Sequence, residues 1–162
     1  MLIAAAAVYG GVSYTALKRE QLNELEALCH MLRLMQDELE TRALPLPELA
    51  TQLEERTESA GKALLSGLLR RLPVLGSQNF QSIWEECVTE SVKHSEEAAR
   101  LLCTLGSFLG RYDVDSQLEA IRSCRETLEK LRTTAAEALP QTRRLGMGLA
   151  LTSGALIVIT LI

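Results

Sequence analysis

An all-α fold is what this sequence predicts, on three observations. Leu, Ala, Glu and Arg are abundant while aromatic residues make up only 4% of the 162 positions, a usage that favours helix over sheet. Apolar side chains recur at spacings of three and four through the longer stretches, the period of one helix face. No run alternates Val, Ile or Thr in the manner of a strand. The expected architecture is a pair of long antiparallel terminal helices continuing into two terminal transmembrane spans, with a lobe of about four shorter helices between them.

The ends carry the membrane expectation. Met1 to Leu17 and Leu145 to Ile162 hold no charged side chain, and the 17 basic and 21 acidic residues all fall between Lys18 and Arg144. At ~1.5 Å per helical residue the two segments reach roughly 25 and 27 Å, slightly under the ~30 Å hydrocarbon core of a bilayer. A secretory signal peptide carries its positive charge before the apolar run; here Lys18 and Arg19 follow it, so no cleavage is expected. Arg143 and Arg144 bound the second segment in mirror fashion. Both basic pairs thus lie on the side of the central region, which the positive-inside bias assigns to the cytoplasm. The competing reading, a buried core helix at each end, would leave Leu156-Ile157-Val158-Ile159-Thr160-Leu161-Ile162 as a large unshielded patch. The expected domains are a span at 1–17, a cytoplasmic helical domain at 18–144 and a span at 145–162, with the lipid bilayer as partner. Gly10 and Gly11 on the first span, and Gly146, Ala150 and Gly154 on the second, offer small faces for close helix packing within the bilayer.

No polar turn or proline separates Leu17 from Lys18, so the first span is expected to run on as one helix to about Thr41. Its stripe of Leu22, Leu25, Cys29, Leu32, Met35 and Leu39 needs a packing partner. Pro45 and Pro47 then break it, because each lacks an N–H and pushes its predecessor toward extended backbone. Pro47 suits the first turn of a second helix, with Glu48 at the positive end of its dipole, and this helix is expected to reach about Glu58. Gly61 opens a third stretch, Lys62 to Leu72, closed by Pro73 and Gly76-Ser77. A fourth runs from Asn79 to His94 with Trp84 as its core anchor. Ser95 caps a fifth, Glu96 to Leu109, which Gly110 ends. Asp113 caps the sixth, whose stripe of Leu118, Ile121, Cys124, Leu128 and Leu131 continues to Leu139, where Pro140 kinks the path into the second span. Two spans entering one membrane face force the first and last helices to lie side by side and antiparallel, so their stripes are mutual partners.

Composition and motifs exclude more than they assign. Net charge is -4 with both signs intermixed, which leaves no basic stripe for nucleic acid and no polybasic cluster for lipid headgroups. His30 and His94 have no Cys, His or carboxylate at the spacing of a zinc site. Gly106-Ser107-Phe108-Leu109-Gly110 lacks the following Lys-Ser/Thr and the preceding strand of a phosphate loop, and reads instead as small residues four apart that allow close helix packing. Ser66 and Ser107 have no neighbouring histidine to activate them. Cys29, Cys87, Cys103 and Cys124 form no Cys-x-x-Cys pair and read as small buried hydrophobes in a reducing compartment. No catalytic residue, metal site or cofactor is expected, and the chain is not read as an enzyme.

Several motifs together resemble one family. The two apolar ends, Leu44-Pro45-Leu46-Pro47-Glu48, Ser82-Ile83-Trp84, and Leu105-Gly106-x-x-Leu109-Gly110-x-x-Asp113 followed by Ser116-Gln117 and Ile121, are similar to those of stage III sporulation protein AB of endospore-forming bacteria, over essentially the whole chain. The resemblance implies a subunit of the channel complex assembled between mother cell and forespore. In that family the helical domain is similar to the cytoplasmic domains of the inner-membrane platform protein of type II secretion and type IV pilus machines. It therefore implies a non-enzymatic platform that docks a cytoplasmic hexameric secretion-type ATPase and other membrane subunits, on the mother-cell side of the outer forespore membrane.

Positions expected to carry interaction or structural motifs are Pro45, Pro47 and Glu48 at one connection, Trp84 in the lobe, and Gly106, Gly110, Asp113 and Gln117 at another. Each also has a plain local reading, since prolines stop helices and Asp113 caps one. Lys18, Arg19, Arg143 and Arg144 flank the membrane. An alternative function from another class is a membrane-tethered helical regulatory or signalling domain that binds a soluble partner.

Overall fold

The computed structural model describes the backbone of residues 2–42, 44–74, 79–109 and 113–160 and the side chains of 16–42, 44–73, 79–109 and 113–138. Every regular element among the described residues is helical: α1 (Leu2–Arg42), α2 (Leu46–Glu54), α3 (Ser59–Arg71), a single 3₁₀ turn (Leu72–Val74), α4 (Phe80–Ser91), α5 (Glu96–Gly106) and α6 (Val114–Thr160). The two terminal helices are the longest, at 41 and 47 residues.

α1 and α6 pack along one another, and three ion pairs fix their sense. Glu40 meets Arg122 at 3.5 Å, Arg33 meets Glu129 at 3.6 Å and Glu26 meets Arg132 at 3.9 Å. The α6 partner moves toward the C-terminus as the α1 partner moves toward the N-terminus, so the helices are antiparallel, as the paired stripes require. Between them Leu25, Leu28, Leu32 and Met35 of α1 and Ile121 and Leu128 of α6 are almost wholly buried in one core. Each such side chain contributes roughly 1.5–3 kcal/mol by leaving water. The exposed ion pairs add little to that and serve mainly to set register.

The remaining helices close a circuit on this pair: α3 lies on α1, α4 on α3, α5 on α4, and α5 returns to α6, with α2 covering α1 and α3. Gly61 sets how closely α3 approaches α1, because a Cβ there would stand 3.2 Å from the Ala27 carbonyl oxygen and 3.2 Å from Met31 Cβ. On the next seam a Cβ at Gly67 would stand 3.4 Å from Cys87 Sγ. Arg71 clasps the same seam, bonding Glu90 at 2.5 Å and Glu86 at 3.6 Å.

Several helix limits differ from those the sequence predicts. α2 ends at Glu54 rather than Glu58. The Thr57 hydroxyl donates to the Leu53 carbonyl at 2.8 Å, and Arg56 N–H donates to the same oxygen at 3.1 Å, which closes the last turn. α3 starts at Ser59, two residues before Gly61, with Ser59 at φ 49°. That left-handed conformation is uncommon for serine and turns the chain so that Gly61 meets α1; Gly61 is an interior contact residue, not a helix opener. α4 ends at Ser91, short of His94, and α5 ends at Gly106, short of Leu109, with Ser107 and Phe108 N–H groups bonded back to Thr104 and Leu105. α6 continues past Leu139 and through Pro140 to Thr160. Proline removes one backbone donor, and here that loss does not end the helix.

Among the described residues no helix is long and apolar enough to cross a membrane. The two expected spans fall mainly on side chains outside the described residues; their backbones belong to α1 and α6.

Candidate functional site

The lobe is organised around Trp84. Its indole is wholly buried, and Nε1 donates to the Leu102 carbonyl of α5 at 2.6 Å. Gly106, the last residue of α5, lies against the ring: a Cβ there would overlap Cδ1 and stand 2.9 Å from Cγ. The small residue expected to admit another backbone admits the tryptophan face instead. Phe80 leans on the same ring with centroids 6.1 Å apart, within the range of favourable aromatic pairs.

A second anchor, which the sequence reading missed, is Glu24. Only 5% exposed, its carboxylate accepts the backbone N–H groups of Lys93 at 2.8 Å, His94 at 3.1 Å and Ser95 at 3.0 Å. Ser95 Oγ in turn accepts from Ala98 N–H at 3.3 Å, capping α5 as expected. The carboxylate thus ties α1 to the α4–α5 turn beside the positive end of α5, where negative charge is favoured. Its one sequence signal is an acid between Leu22 and Leu25, on the edge of the apolar stripe.

Asp113 caps α6 as predicted, accepting from Ser116 N–H at 3.3 Å and from the Ser116 hydroxyl at 2.7 Å. The hydroxyl, then the amide, hold the Asp113 carboxyl below its ordinary range. Gln117 follows, half-buried, with its N–H donating to the Asp113 carbonyl. Pro45 is the exposed N-cap of α2, Pro47 lies in its first turn and Glu48 is exposed there. These two connections do not form one cluster. One follows α1 and the other precedes α6, so both lie at the end of the antiparallel pair away from the chain termini. Lys18 is half-buried and donates to Gln21 at 3.1 Å, and Arg19 is exposed. Gly110 lies outside the described residues, and of Gly10, Gly11, Arg143, Arg144, Gly146, Ala150 and Gly154 only the helical backbone is described.

Among the described residues a groove and a polar hollow mark the surface. The groove, of about 580 Å³, runs between Leu101, Thr104 and Leu105 of α5, with Phe108 in the turn that follows it, and Ser116, Glu119, Ala120, Ser123, Cys124 and Thr127 of α6. A polar hollow of about 500 Å³ is lined by Asn23, Glu26, Ala27, His30, Arg56, Glu58 and Ser59. His30 has no second histidine or cysteine there, and no three His, Cys, Asp or Glu side chains among the described residues stand close enough to hold a metal. Cys29, Cys87 and Cys124 are buried and Cys103 half-buried, all as free thiols. Burial, reinforced by Cys29, pushes Cys124 up to about 12, and burial, reinforced by Glu129, pushes Cys29 up to about 11. Thiols held protonated in this way are poor nucleophiles. The chemistry on offer is that of surfaces: a clasped helical lobe, an apolar groove and two exposed connections.

The sequence profile of stage III sporulation protein AB matches residues 1–162. A solved structure of a stage III sporulation protein AB superimposes with a TM-score of 0.65 at 21% identity, covering 75% of this chain and 97% of that one; at this identity the likeness speaks to the fold. No curated protein sequence matches. With the profile match spanning the whole sequence, the chain belongs to the stage III sporulation protein AB family.

Proposed function

We propose that this chain is a non-enzymatic adaptor of the sporulation channel complex, anchored in the membrane at both ends and presenting its helical lobe to a cytoplasmic hexameric secretion-type ATPase. The observation that carries the reading is the antiparallel α1/α6 pair with its three cross-helix ion pairs. Extended residue for residue, that register brings Lys18 and Arg19 level with about positions 140–144, where the second basic pair stands in sequence. Both apolar segments then leave the domain together on one side, as two anchors in one bilayer require. Leu17, 55% exposed at the end of the first segment, fits an apolar surrounding beyond that point. The far end, with the Pro45–Glu48 and Asp113–Gln117 connections, is left free for a cytoplasmic partner. Family membership supports the channel complex as the setting, the outer forespore membrane on its mother-cell side as the location, and other membrane subunits of that complex as further partners.

Co-purification tests the reading. The full chain, solubilised in mild detergent from sporulating cells, is expected to retain the complex's hexameric ATPase, and its deletion is expected to arrest forespore development. Absence of the ATPase together with normal forespore development overturns the proposal and leaves a tethered regulatory domain as the better description.

A further inference from the structure

We propose that the α5–α6 groove is a docking site for an amphipathic helix with basic flanks, supplied by a protein partner. Leu105 and Cys124, 3% and 7% exposed, form its floor, and Leu101, Ala120 and Phe108 carry apolar surface up to the rim. Phe108 stays 38% exposed, one of three large apolar side chains so exposed among the described residues. Three of the four hydroxyls along the walls are already engaged, and only that of Ser123 is left to a ligand among the bonds of the described residues. Thr104 donates to Arg100, Thr127 to Ser123 and Ser116 to Asp113. The groove therefore asks chiefly for apolar side chains, with at most one hydroxyl to meet.

Charge selects the occupant. Asp115, Glu119 and Glu126 stand exposed along the outer flank of α6, and Asp115 and Glu126 have no ion pair among the described residues. Arg122, the cation on that flank, is drawn toward Glu40 and Glu119. One turn before Leu101 and one turn after Thr127, exposed Glu97 and Lys130 offer one charge of each sign, and Arg100 on the α5 side is drawn to Glu96 at 3.5 Å. A second copy of this chain would bring acid against acid, and an anionic membrane or nucleic acid would be repelled. From Ser116 to Thr127 the wall is about 17 Å long at ~1.5 Å per residue, which matches roughly three turns of helix bearing apolar side chains at i, i+3 or i+4, and i+7. The inference rests on the adaptor reading and deepens it by naming a surface and the chemistry that fits it.

The test uses the full chain in detergent micelles and two fluorescein-labelled helical peptides of about 14 residues, with the same leucine stripe and either lysine or glutamate flanks. The lysine peptide is expected to bind at least ten-fold more tightly, by fluorescence anisotropy. D115K together with E126K, both at exposed positions, should weaken it five-fold or more and reduce its salt dependence. A120W, which fills the groove, should abolish saturable binding while thermal unfolding confirms a folded chain. The double charge reversal keeps the proposal testable should A120W fail to fold. Equal affinity for the two peptides, or binding indifferent to D115K/E126K, overturns it. If the ATPase still co-purifies with D115K/E126K while the lysine peptide fails to bind the native chain, the groove assignment fails alone and the adaptor reading stands.

Discussion

Glu24 and Ser95, 71 residues apart in sequence, are joined by a hydrogen bond of 3.0 Å from the Ser95 backbone N–H to the Glu24 carboxylate. Lys93 and His94 add their N–H groups to the same acceptor, so one buried side chain satisfies three backbone donors of the turn, that of Ser95 in a fully buried bond. The clasp holds the α4–α5 turn on α1 and with it the orientation of α5, one wall of the groove.

Removing that acceptor should be costly, because the penalty for a buried unpaired donor exceeds the net value of the bond it loses. Glu24→Ala is expected to destabilise the chain by about 2–4 kcal/mol, measured by urea unfolding in detergent followed through Trp84 fluorescence. A loss below about 0.5 kcal/mol, within the range of ordinary surface substitutions, would show that the turn is held by other contacts.

Trp84 and Gly106 should behave as one unit. Gly106→Ala places a methyl group into the indole and is expected to cost about 1–3 kcal/mol through overpacking. Trp84→Phe removes the Nε1–H bond to Leu102 and leaves space, at a similar cost. Since the smaller ring makes room for the methyl, the double variant should be less destabilised than the two losses combined, by about 1 kcal/mol. Strict additivity in urea unfolding followed by far-ultraviolet circular dichroism, a signal that survives the loss of Trp84, would argue against the contact.

These two anchors show where sequence reasoning reaches and where it stops. The all-α fold, the stripe on α1, the Ser95 and Asp113 caps and the burial of Trp84 were legible because each follows from local spacing or from a residue type with one strong preference. Helix limits were less legible. Gly61 and Gly106 read as punctuation or as backbone contacts, yet each answers to a neighbour distant in sequence: Gly61 to Ala27 and Met31, Gly106 to Trp84. Glu24 was missed for the same reason. A single acid beside an apolar stripe resembles a solvated surface charge until the turn it caps folds over it. The groove was invisible too, since it exists only where Leu105 of α5 and Ala120 of α6 come together.

The cysteines give a pH prediction. Burial raises Cys29 and Cys124 from an ordinary 9.0 to about 11 and about 12, so the folded chain keeps these protons to higher pH than the unfolded chain does. Their contribution is fully present below pH 9. Above it the unfolded thiols ionise first, and stability falls by about 1.4 kcal/mol per pH unit for each thiol until the folded thiols ionise as well. Unfolding measured from pH 8 to 10.5 should show this decline, and Cys29→Ala with Cys124→Ala should flatten it. At pH 8 a maleimide should modify half-buried Cys103 before the other three.

At Asp113 the sign is opposite. Its carboxyl is held below the ordinary range by Ser116, so its support for the start of α6 is present above that range and is lost as the pH falls through it. Amide exchange at the first turn of α6 should quicken in Asp113→Ala, and Asp113→Asn, which retains an acceptor oxygen, should restore most of the protection. Unchanged exchange in the alanine variant would remove Asp113 from the cap.

The central claim, that both ends of the chain enter one membrane from the side of the helical lobe, is tested most directly by thiol accessibility in intact cells. In a chain whose four native cysteines are replaced by alanine, single cysteines at exposed Glu20→Cys and Glu137→Cys, which leave both basic pairs intact, should resist a membrane-impermeant maleimide until the cells are permeabilised, and the chain should stay with the membrane through alkaline carbonate extraction. Labelling of either position from outside, or release of the chain by carbonate, would contradict it.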